Sequence, residues 1–283
     1  MVKKYLFLDV PYLCYRVRYA TRELSYDGQP TGVIYGFLQS LAPLQDMFRT
    51  SNFIFCFDGK KSKRKLWCSD YKATRRNRIT TNEDAAYEKA FRQQVWLLQT
   101  EYLPTIGFRN VFGEEGYESD DIIASVCKNL SDDEEGVIVS ADNDLYQLLD
   151  WNVSLYDPRK KKILTLQGFT KQYGIKPCDW VWVKCVAGCP TDNIPGIKGV
   201  GIKTAIKYLR GQLSPKSRAF QAIESMGGQA VRVRNMTFIK LPLAGTPHFT
   251  IREDELTEEG WRVVTDLLGM KSIRNKMPFT KRL

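Results

Sequence analysis

Eight carboxylates in this chain stand where hydrophobic runs stop. Asp9 closes Tyr5-Leu6-Phe7-Leu8, and Asp58 closes the run from Phe53 to Phe57. Glu118, Asp120 and Asp121 cluster around Ser119; Asp142 and Asp144 follow Val137-Ile138-Val139-Ser140; Asp192 precedes Asn193-Ile194-Pro195-Gly196. In a parallel sheet the C-terminal strand ends share one edge, and ligands bind there. Acids gathered at that edge repel one another unless a cation neutralises them. Carboxylate oxygens without His or Cys in the pattern suit Mg²⁺ or Mn²⁺. Two such ions can drive in-line phosphodiester hydrolysis. Taken singly, each acid has a blander reading. A strand-end Asp caps turns, and acids opening a helix answer its dipole. Their recurrence at four separate junctions favours the metal.

Composition narrows the chemistry further. His248 is the one histidine among 283 residues, which leaves no room for a histidine triad, a His-ligated zinc site or a histidine general base. Seven cysteines, an odd number, read as reduced thiols. Cys178, Cys185 and Cys189 lie close together, but without a CxxC pair or a fourth ligand they do not predict zinc. The formal charge is +10. A basic protein with an acidic metal site suits a polyanionic substrate, which the basic surface holds. Lys3-Lys4 before an apolar run resembles a secretory leader, but Asp9, Pro11, Arg16 and Arg18 interrupt it. No stretch reaches the roughly 20 apolar residues of a membrane span. The expected location is cytoplasmic, in the host cytoplasm if the source is viral.

The elements that must position these acids alternate. Strands are expected at 5–9, 53–58, 108–112 and 137–140, and helices at 31–49, 83–102 and 120–130, with another beginning at 145–149. This β-α-β-α order predicts an α/β fold, a mostly parallel twisted sheet flanked by helices. A hairpin is expected across 153–166. The chain then reads as helical to about 211, as a polar turn-rich stretch over 212–235 broken at Gly227-Gly228, and as a last helix over 256–269 begun by Thr257.

Two further motifs concern a polyanion. Residues 60–78 carry Lys60, Lys61, Lys63, Arg64, Lys65, Lys72, Arg75, Arg76 and Arg78, interleaved with Trp67 and Tyr71. Cations hold phosphates and aromatic faces stack unpaired bases, although a charge run is often only a solvated loop. In Ile197-Lys198-Gly199-Val200-Gly201-Ile202-Lys203-Thr204, glycines flank one apolar residue and open a helix. Glycines there let backbone amides approach a phosphate, and Lys203 adds a point charge. The Walker spacing is absent. The pattern matches a helix–hairpin–helix, which grips nucleic-acid backbone without reading sequence.

Together these residues resemble the bacteriophage and bacterial 5′→3′ exonucleases of the flap endonuclease family, which have a PIN-like nuclease fold. The likeness runs in order over roughly 3–245. It rests on Phe7-Leu8-Asp9, Phe57-Asp58, Arg64 with Tyr71-Lys72 and Arg75, Glu118-x-Asp120-Asp121, Asp142-x-Asp144, and the stretch from Asp192 to Ala205. It implies a nuclease domain over 1–175 that includes a helical arch at 60–115. A helix–hairpin–helix DNA-binding region with C-terminal helices would follow at 176–283. It implies two divalent ions held by Asp9, Asp58, Glu118, Asp120, Asp121, Asp142, Asp144 and Asp192. Lys72 and Arg75 would be catalytic at the scissile phosphate. Arg64, Tyr71, Gly199, Gly201, Lys203 and Thr204 would bind DNA, Tyr71 by stacking a displaced base, and K⁺ would assist at the helix–hairpin–helix. The expected partner is branched, flap, nicked or 5′-ended DNA, with RNA–DNA hybrid as a further substrate, and the expected state is a monomer.

The chain departs from the family pattern at two places. Cys189 stands where the family carries an Asp three residues before Asp192, and Val10 stands where Gly commonly follows the first Asp. A thiol is a poor Mg²⁺ ligand. Two other functions fit part of the pattern: a structure-specific DNA-binding protein without turnover, and a PIN-type ribonuclease. The helix–hairpin–helix argues against the second.

Overall fold

A computed structural model of the chain describes residues 2–74 and 81–279. The central strand β1 (Lys3–Asp9) is apolar on both sides because it is covered on both sides: Leu6, Phe7 and Leu8 are all fully buried. Helix α1 (Val10–Val17) leaves directly from its end, with Asp9 as N-cap. A short hairpin, β2 (Ser25–Tyr26) and β3 (Gln29–Pro30), precedes α2 (Gly32–Phe48). Strand β4 (Phe53–Cys56) leads to a single turn-and-a-half, α3 (Lys63–Trp67), and then to α4 (Asn82–Leu97), capped by a reciprocal Thr81–Asp84 box. A wide π turn, Leu98–Tyr102, carries α4 into α5 (Leu103–Ile106). Strand β5 (Val111–Phe112), α6 (Ser119–Cys127), β6 (Glu134–Val139), a 3₁₀ turn at Asn143–Leu148, β7 (Val153–Asp157) and β8 (Lys162–Leu164) follow.

The sheet runs β5-β4-β1-β6-β7-β8. Every pairing is parallel except the β7–β8 hairpin. Alternate residues serve opposite cores. Leu6, Leu8, Phe53 and Phe55 face α1, α2 and α5, while Tyr5, Phe7, Ile54 and Cys56 face α6 and the helices that follow.

Beyond the sheet come α7 (Leu166–Tyr173), α8 (Trp180–Ala187), a second short hairpin of β9 (Gly188–Cys189) and β10 (Ile194–Pro195), and α9 (Ile202–Leu209). Then come α10 (Arg218–Glu224), α11 (Met226–Ile239) and α12 (Glu258–Leu267). The turn-rich stretch expected at 212–235 is therefore largely helical. Gly227 and Gly228 do not break it; they start α11. Ser225 accepts the Gly228 amide hydrogen at 3.0 Å, and a Cβ on Gly228 would lie 2.2 Å from the Ala222 carbonyl oxygen, so the glycine permits a close helix junction.

The expected helix at 145–149 is the 3₁₀ turn, and the expected strand at 108–112 shortens to β5. Helix α12 returns to the first core. Trp261 is completely buried there and donates from Nε1 to the Ile273 carbonyl at 3.1 Å, so its truncation would cost about 3–5 kcal/mol.

The path from α3 to α4 borders the site. Helix α4 is tied to the sheet side by Gln94, whose Oε1 accepts from the Val33 and Ile34 amides at 2.9 and 3.4 Å. These are free donors at the start of α2, where Thr31 provides no side-chain cap. Arg18 lies among Tyr15, Tyr19, Tyr87 and Phe91 and pairs with Glu88 at 3.0 Å, so α1 and α4 are clamped together. Among the described residues no helix is long and apolar enough to cross a membrane.

Candidate active site

The C-terminal edge of the parallel strands collects the acids. Asp9 ends β1; its carboxylate accepts from Ser140 Oγ at 2.7 Å, Ser119 Oγ at 3.3 Å and the Tyr12 amide at 3.3 Å. Asp58 lies just past β4 and accepts the Ser119 amide at 2.9 Å. Glu118 caps α6 and Asp120 lies in its first turn. Asp142 follows β6 and accepts the Asp144 amide at 2.8 Å, which turns the chain into the 3₁₀ segment. The β9–β10 hairpin adds Cys189 and, on its own 3₁₀ turn, Asp192.

These groups fall into two sets with different electrostatics. In the first, burial and the nearby charges of Asp58 and Asp142 push Asp9 up to about 7, against an ordinary 3.8. Burial, with Asp142 and Asp9, pushes Asp120 well above the carboxylate range. Asp58 faces solvent yet is enclosed by the cleft walls; that desolvation and the charge of Glu118 raise it too. Among the described residues no Lys or Arg forms an ion pair with Asp9, Asp58, Asp120 or Asp142. Crowded carboxylates lacking a cation are the donor set that a hard divalent ion stabilises, so the residues present fit such an ion.

In the second set, Asp144, Cys189 and Asp192 each offer a ligand atom, all within 4.8 Å of one another. Here the protein brings its own cation: Lys184 of α8, 5% exposed, places Nζ 2.8 Å from Asp144 and donates to Asn143 Oδ1 at 2.9 Å. Cys189 Sγ lies 3.9 Å from Asp144 and 3.7 Å from Asp192, and burial pushes its thiol up to about 11. A neutral thiol and a carboxylate already paired make a poorer Mg²⁺ shell than the first set.

Three of the expected site residues are engaged by the protein itself. Asp121 is bound by other side-chain and backbone groups. It is fully buried, forks with Arg64 at 2.5 and 2.8 Å, and accepts amides from Leu243 at 2.8 Å and Glu118 at 3.1 Å. Its lone pairs are therefore occupied by the protein. Arg64, expected to bind DNA, is 2% exposed, and its Nε donates to the Phe238 carbonyl at 2.8 Å. Tyr71 does not offer a stacking face, because its ring is buried against Phe238, centroids 6.1 Å apart, and its hydroxyl donates to Glu118 at 2.9 Å.

Lys72 is at the cleft. Its Nζ is 2.7 Å from Glu118, and its amide donates to the Asp192 carbonyl at 3.0 Å. Although Glu118 is buried, which favours its neutral form, Lys72 and Arg64 hold it down at about 2. Arg75 lies outside the described residues.

Before α9, Gly199 adopts φ +79°, a conformation suited to glycine. Gly201 precedes α9 without any side-chain cap, and a Cβ at either glycine would meet no atom within 4 Å. The backbone here is open to a ligand. Lys203 is exposed on the first turn of α9 and Thr204 is half-buried beside it.

Ser119, Ser140 and Lys184 escaped the sequence reading. The serines gave no signal, being ordinary residues at a strand end and helix start. Lys184 did: it is the one charge in Trp180–Ala187, an otherwise apolar helix, and a buried ammonium needs a partner. Trp67, on α3, is half exposed beside exposed Lys65 and Leu66, and is the free aromatic face that Tyr71 is not.

A family model for the N-terminal, resolvase-like domain of 5′-3′ exonucleases matches residues 4–174. The 5′-3′ exonuclease of Mycoplasmopsis pulmonis is 30% identical over 227 residues, 79% of this chain and 71% of that protein. The 5′-3′ exonuclease of Bacillus subtilis is 30% identical over 220 residues, 73% and 70% of the two chains. The thermostable DNA polymerase I of Thermus thermophilus is 32% identical over 209 residues, 72% of this chain but 24% of the polymerase, so the match spans about a quarter of that relative.

Among solved structures, bacteriophage T5 5′-exonuclease with zinc bound superimposes with a TM-score of 0.70 at 19% identity, covering 98% of this chain and 97% of that one. The catalytic core of Rad2 with DNA substrate gives 0.56 at 14% identity, covering 99% and 92%. These likenesses show a shared fold. The mostly parallel sheet, the acids along its C-terminal edge and the sequence relatives agree, and the chain belongs to the 5′-3′ exonuclease family.

Proposed function

We propose that this protein is a divalent-metal-dependent 5′ nuclease that hydrolyses phosphodiester bonds near the 5′ end of branched or nicked DNA. The observation that carries the reading is the first set of acids. Asp9, Asp58, Asp120 and Asp142 converge from separate segments, and among the described residues none of them forms an ion pair with Lys or Arg; Lys72, held on Glu118, stands beside them. Asp9, Asp120 and Asp142 would hold Mg²⁺ or Mn²⁺, with Asp58 and Glu118 next to them. The metal, when bound, supplies Lewis-acid stabilisation of charge on the phosphoryl oxygens.

The rest is the work of the chain's own residues. Lys72 offsets charge as it builds on the phosphate, and its salt bridge to Glu118 fixes where that charge stands. Ser140 and Ser119 orient Asp9 through their hydroxyl hydrogen bonds. The open amides around Gly199 and Gly201, with Lys203, hold the duplex backbone without reading bases. Backbone carbonyls of the same turn are the place for an assisting K⁺. RNA–DNA hybrids fit the same sequence-blind grip, and the chain acts as a monomer. The proposed units are a nuclease unit over 1–175, with an arch at 60–115, and a helix–hairpin–helix DNA-binding region with C-terminal helices over 176–283.

The test is cleavage of a 5′-labelled flap substrate in Mg²⁺, in Ca²⁺ and in chelator. Cleavage in Mg²⁺ that chelator abolishes is the expected result. Binding without cleavage in Mg²⁺ would favour a DNA-binding protein instead, a reading that the thiol at Cys189 motivates. Faster cleavage of single-stranded RNA than of flap DNA would favour a ribonuclease.

A further inference from the structure

We infer that Lys184 stands in for the second divalent ion, so that this nuclease holds one tightly bound metal where two were expected from its sequence. The inference rests on the metal-dependent reading above and adds the stoichiometry. Helix α8 buries Trp180, Val181, Val183, Cys185 and Val186, and Lys184 is buried with them. An ammonium in such a place persists only if anions and acceptors surround it. It finds Asp144 at 2.8 Å and Asn143 at 2.9 Å. Asp144 is thereby committed to an internal partner.

Position 189 completes the argument. Cys189 Sγ faces both Asp144 and Asp192, at 3.9 and 3.7 Å, and is also 3.2 Å from Thr191 Oγ1. A carboxylate here would add a third anion beside Asp144 and Asp192, whereas cysteine adds a neutral thiol. A second Mg²⁺ would have to share Asp144 with the ammonium of Lys184, which sits 2.8 Å from Oδ1, and accept a soft ligand in return. The first set meets no such competitor: among the described residues no Lys or Arg pairs with Asp9, Asp120 or Asp142.

The lysine and the cysteine thus act together, one filling the charge and the other removing the demand for more.

Mn²⁺ binding to the full chain, counted by electron paramagnetic resonance of free Mn²⁺, tests this without reading activity. Wild-type protein is expected to bind one Mn²⁺ tightly, any second at least about a hundredfold more weakly, the order of penalty for stripping a buried ion pair. Lys184→Arg keeps the charge and should keep the count at one. Lys184→Met together with Cys189→Asp removes the competitor and restores the carboxylate, and should raise the count to two. Should that double variant fail to fold by circular dichroism, the wild-type and Lys184→Arg counts still decide. Two ions of similar affinity in the wild type overturn the inference while leaving the nuclease reading intact. A count of zero overturns the metal-dependent reading itself.

Discussion

Asp121→Asn tests whether an acid in the middle of the family motif serves the fold or the metal. Arg64 lies 2% exposed, its guanidinium forked onto Asp121 at 2.5 and 2.8 Å and Glu118 3.8 Å away. Removing one charge from a buried pair costs about 3–5 kcal/mol, because the partner remains buried. Asparagine keeps one carbonyl oxygen for the Leu243 amide, and Glu118 still offers Arg64 an anion, so the low end, about 3 kcal/mol, applies. Unfolding entropy of about 2.1 cal/mol/K per residue gives roughly 0.6 kcal/mol/K for a chain of 283 residues. The melting temperature should therefore fall by roughly 5 °C.

Thermal melts in chelator, run beside Mn²⁺ titrations at a temperature where both proteins are folded, read the two quantities separately. Mn²⁺ affinity should stay within about twofold, since this carboxylate is occupied by Arg64 and two amides. Asp142→Asn is the mirror case. It removes an anion from a crowded, uncompensated set, so the metal-free protein should melt no lower, while Mn²⁺ affinity falls by about tenfold or more and cleavage is nearly lost. An Asp121→Asn protein that melts like wild type but binds Mn²⁺ poorly would refute the structural assignment.

Other consequences can be measured directly. Burial and its acidic neighbours raise Asp9 from 3.8 to about 7, so the folded chain binds that proton more tightly than the unfolded chain. Metal-free stability should thus be highest below about pH 4 on this account and decline as pH rises toward 7, by up to about 3 kcal/mol between pH 5 and 7; chelated melts of equal midpoint from pH 5 to 8 would contradict it. Saturating Ca²⁺ should flatten that decline, because the cation favours the ionised carboxylates. Lys72→Ala should slow single-turnover cleavage far more than it weakens DNA binding, and equal losses would reduce Lys72 to a general phosphate contact. Lys203→Ala should weaken duplex binding about equally for all sequences and flatten the log–log salt slope by about one; an unchanged slope would place Lys203 in solvent only. Trp67→Ala should weaken binding of a substrate with a single-stranded 5′ tail by about tenfold and spare a nicked duplex, whereas Trp67→Phe should restore most of the loss.

The fold was legible where burial leaves a one-dimensional trace. Tyr5-Leu6-Phe7-Leu8 and Phe53-Ile54-Phe55-Cys56 read as strands because a parallel strand covered on both faces is apolar at every position. Their terminal acids were legible for the same reason, since the run stops where the edge begins. Asp120 and Asp121 were not separable. Adjacent helix residues point about 100° apart, but which one faces the cleft depends on Arg64, 57 residues earlier in the chain. An aromatic among cations, Tyr71 looks like a base-stacking platform in the sequence; its burial against Phe238 is set by α11, whose existence the Gly227-Gly228 pair concealed.

Charge balance explains why so many acids occupy one edge without all serving a metal. Among the described residues, three cations take several of them. Arg64 takes Asp121 and locks α3 to the start of α6. Lys72 takes Glu118 and ties the α3–α4 path to the cleft. Lys184 takes Asp144 and joins α8 to the loop after β6. Each pair therefore crosses between elements that the sheet alone does not connect. Among the described residues, Asp9, Asp120 and Asp142 are left without such a partner, and they lie at the centre of the edge, on β1, α6 and the end of β6. Partnered acids fasten the walls, and unpartnered acids mark where an external cation gains most by entering. On that logic, the place of a divalent ion follows from which anions the protein declines to neutralise, and substitutions that remove the charge of Arg64 or Lys184 should change metal binding without touching a ligand of the first set.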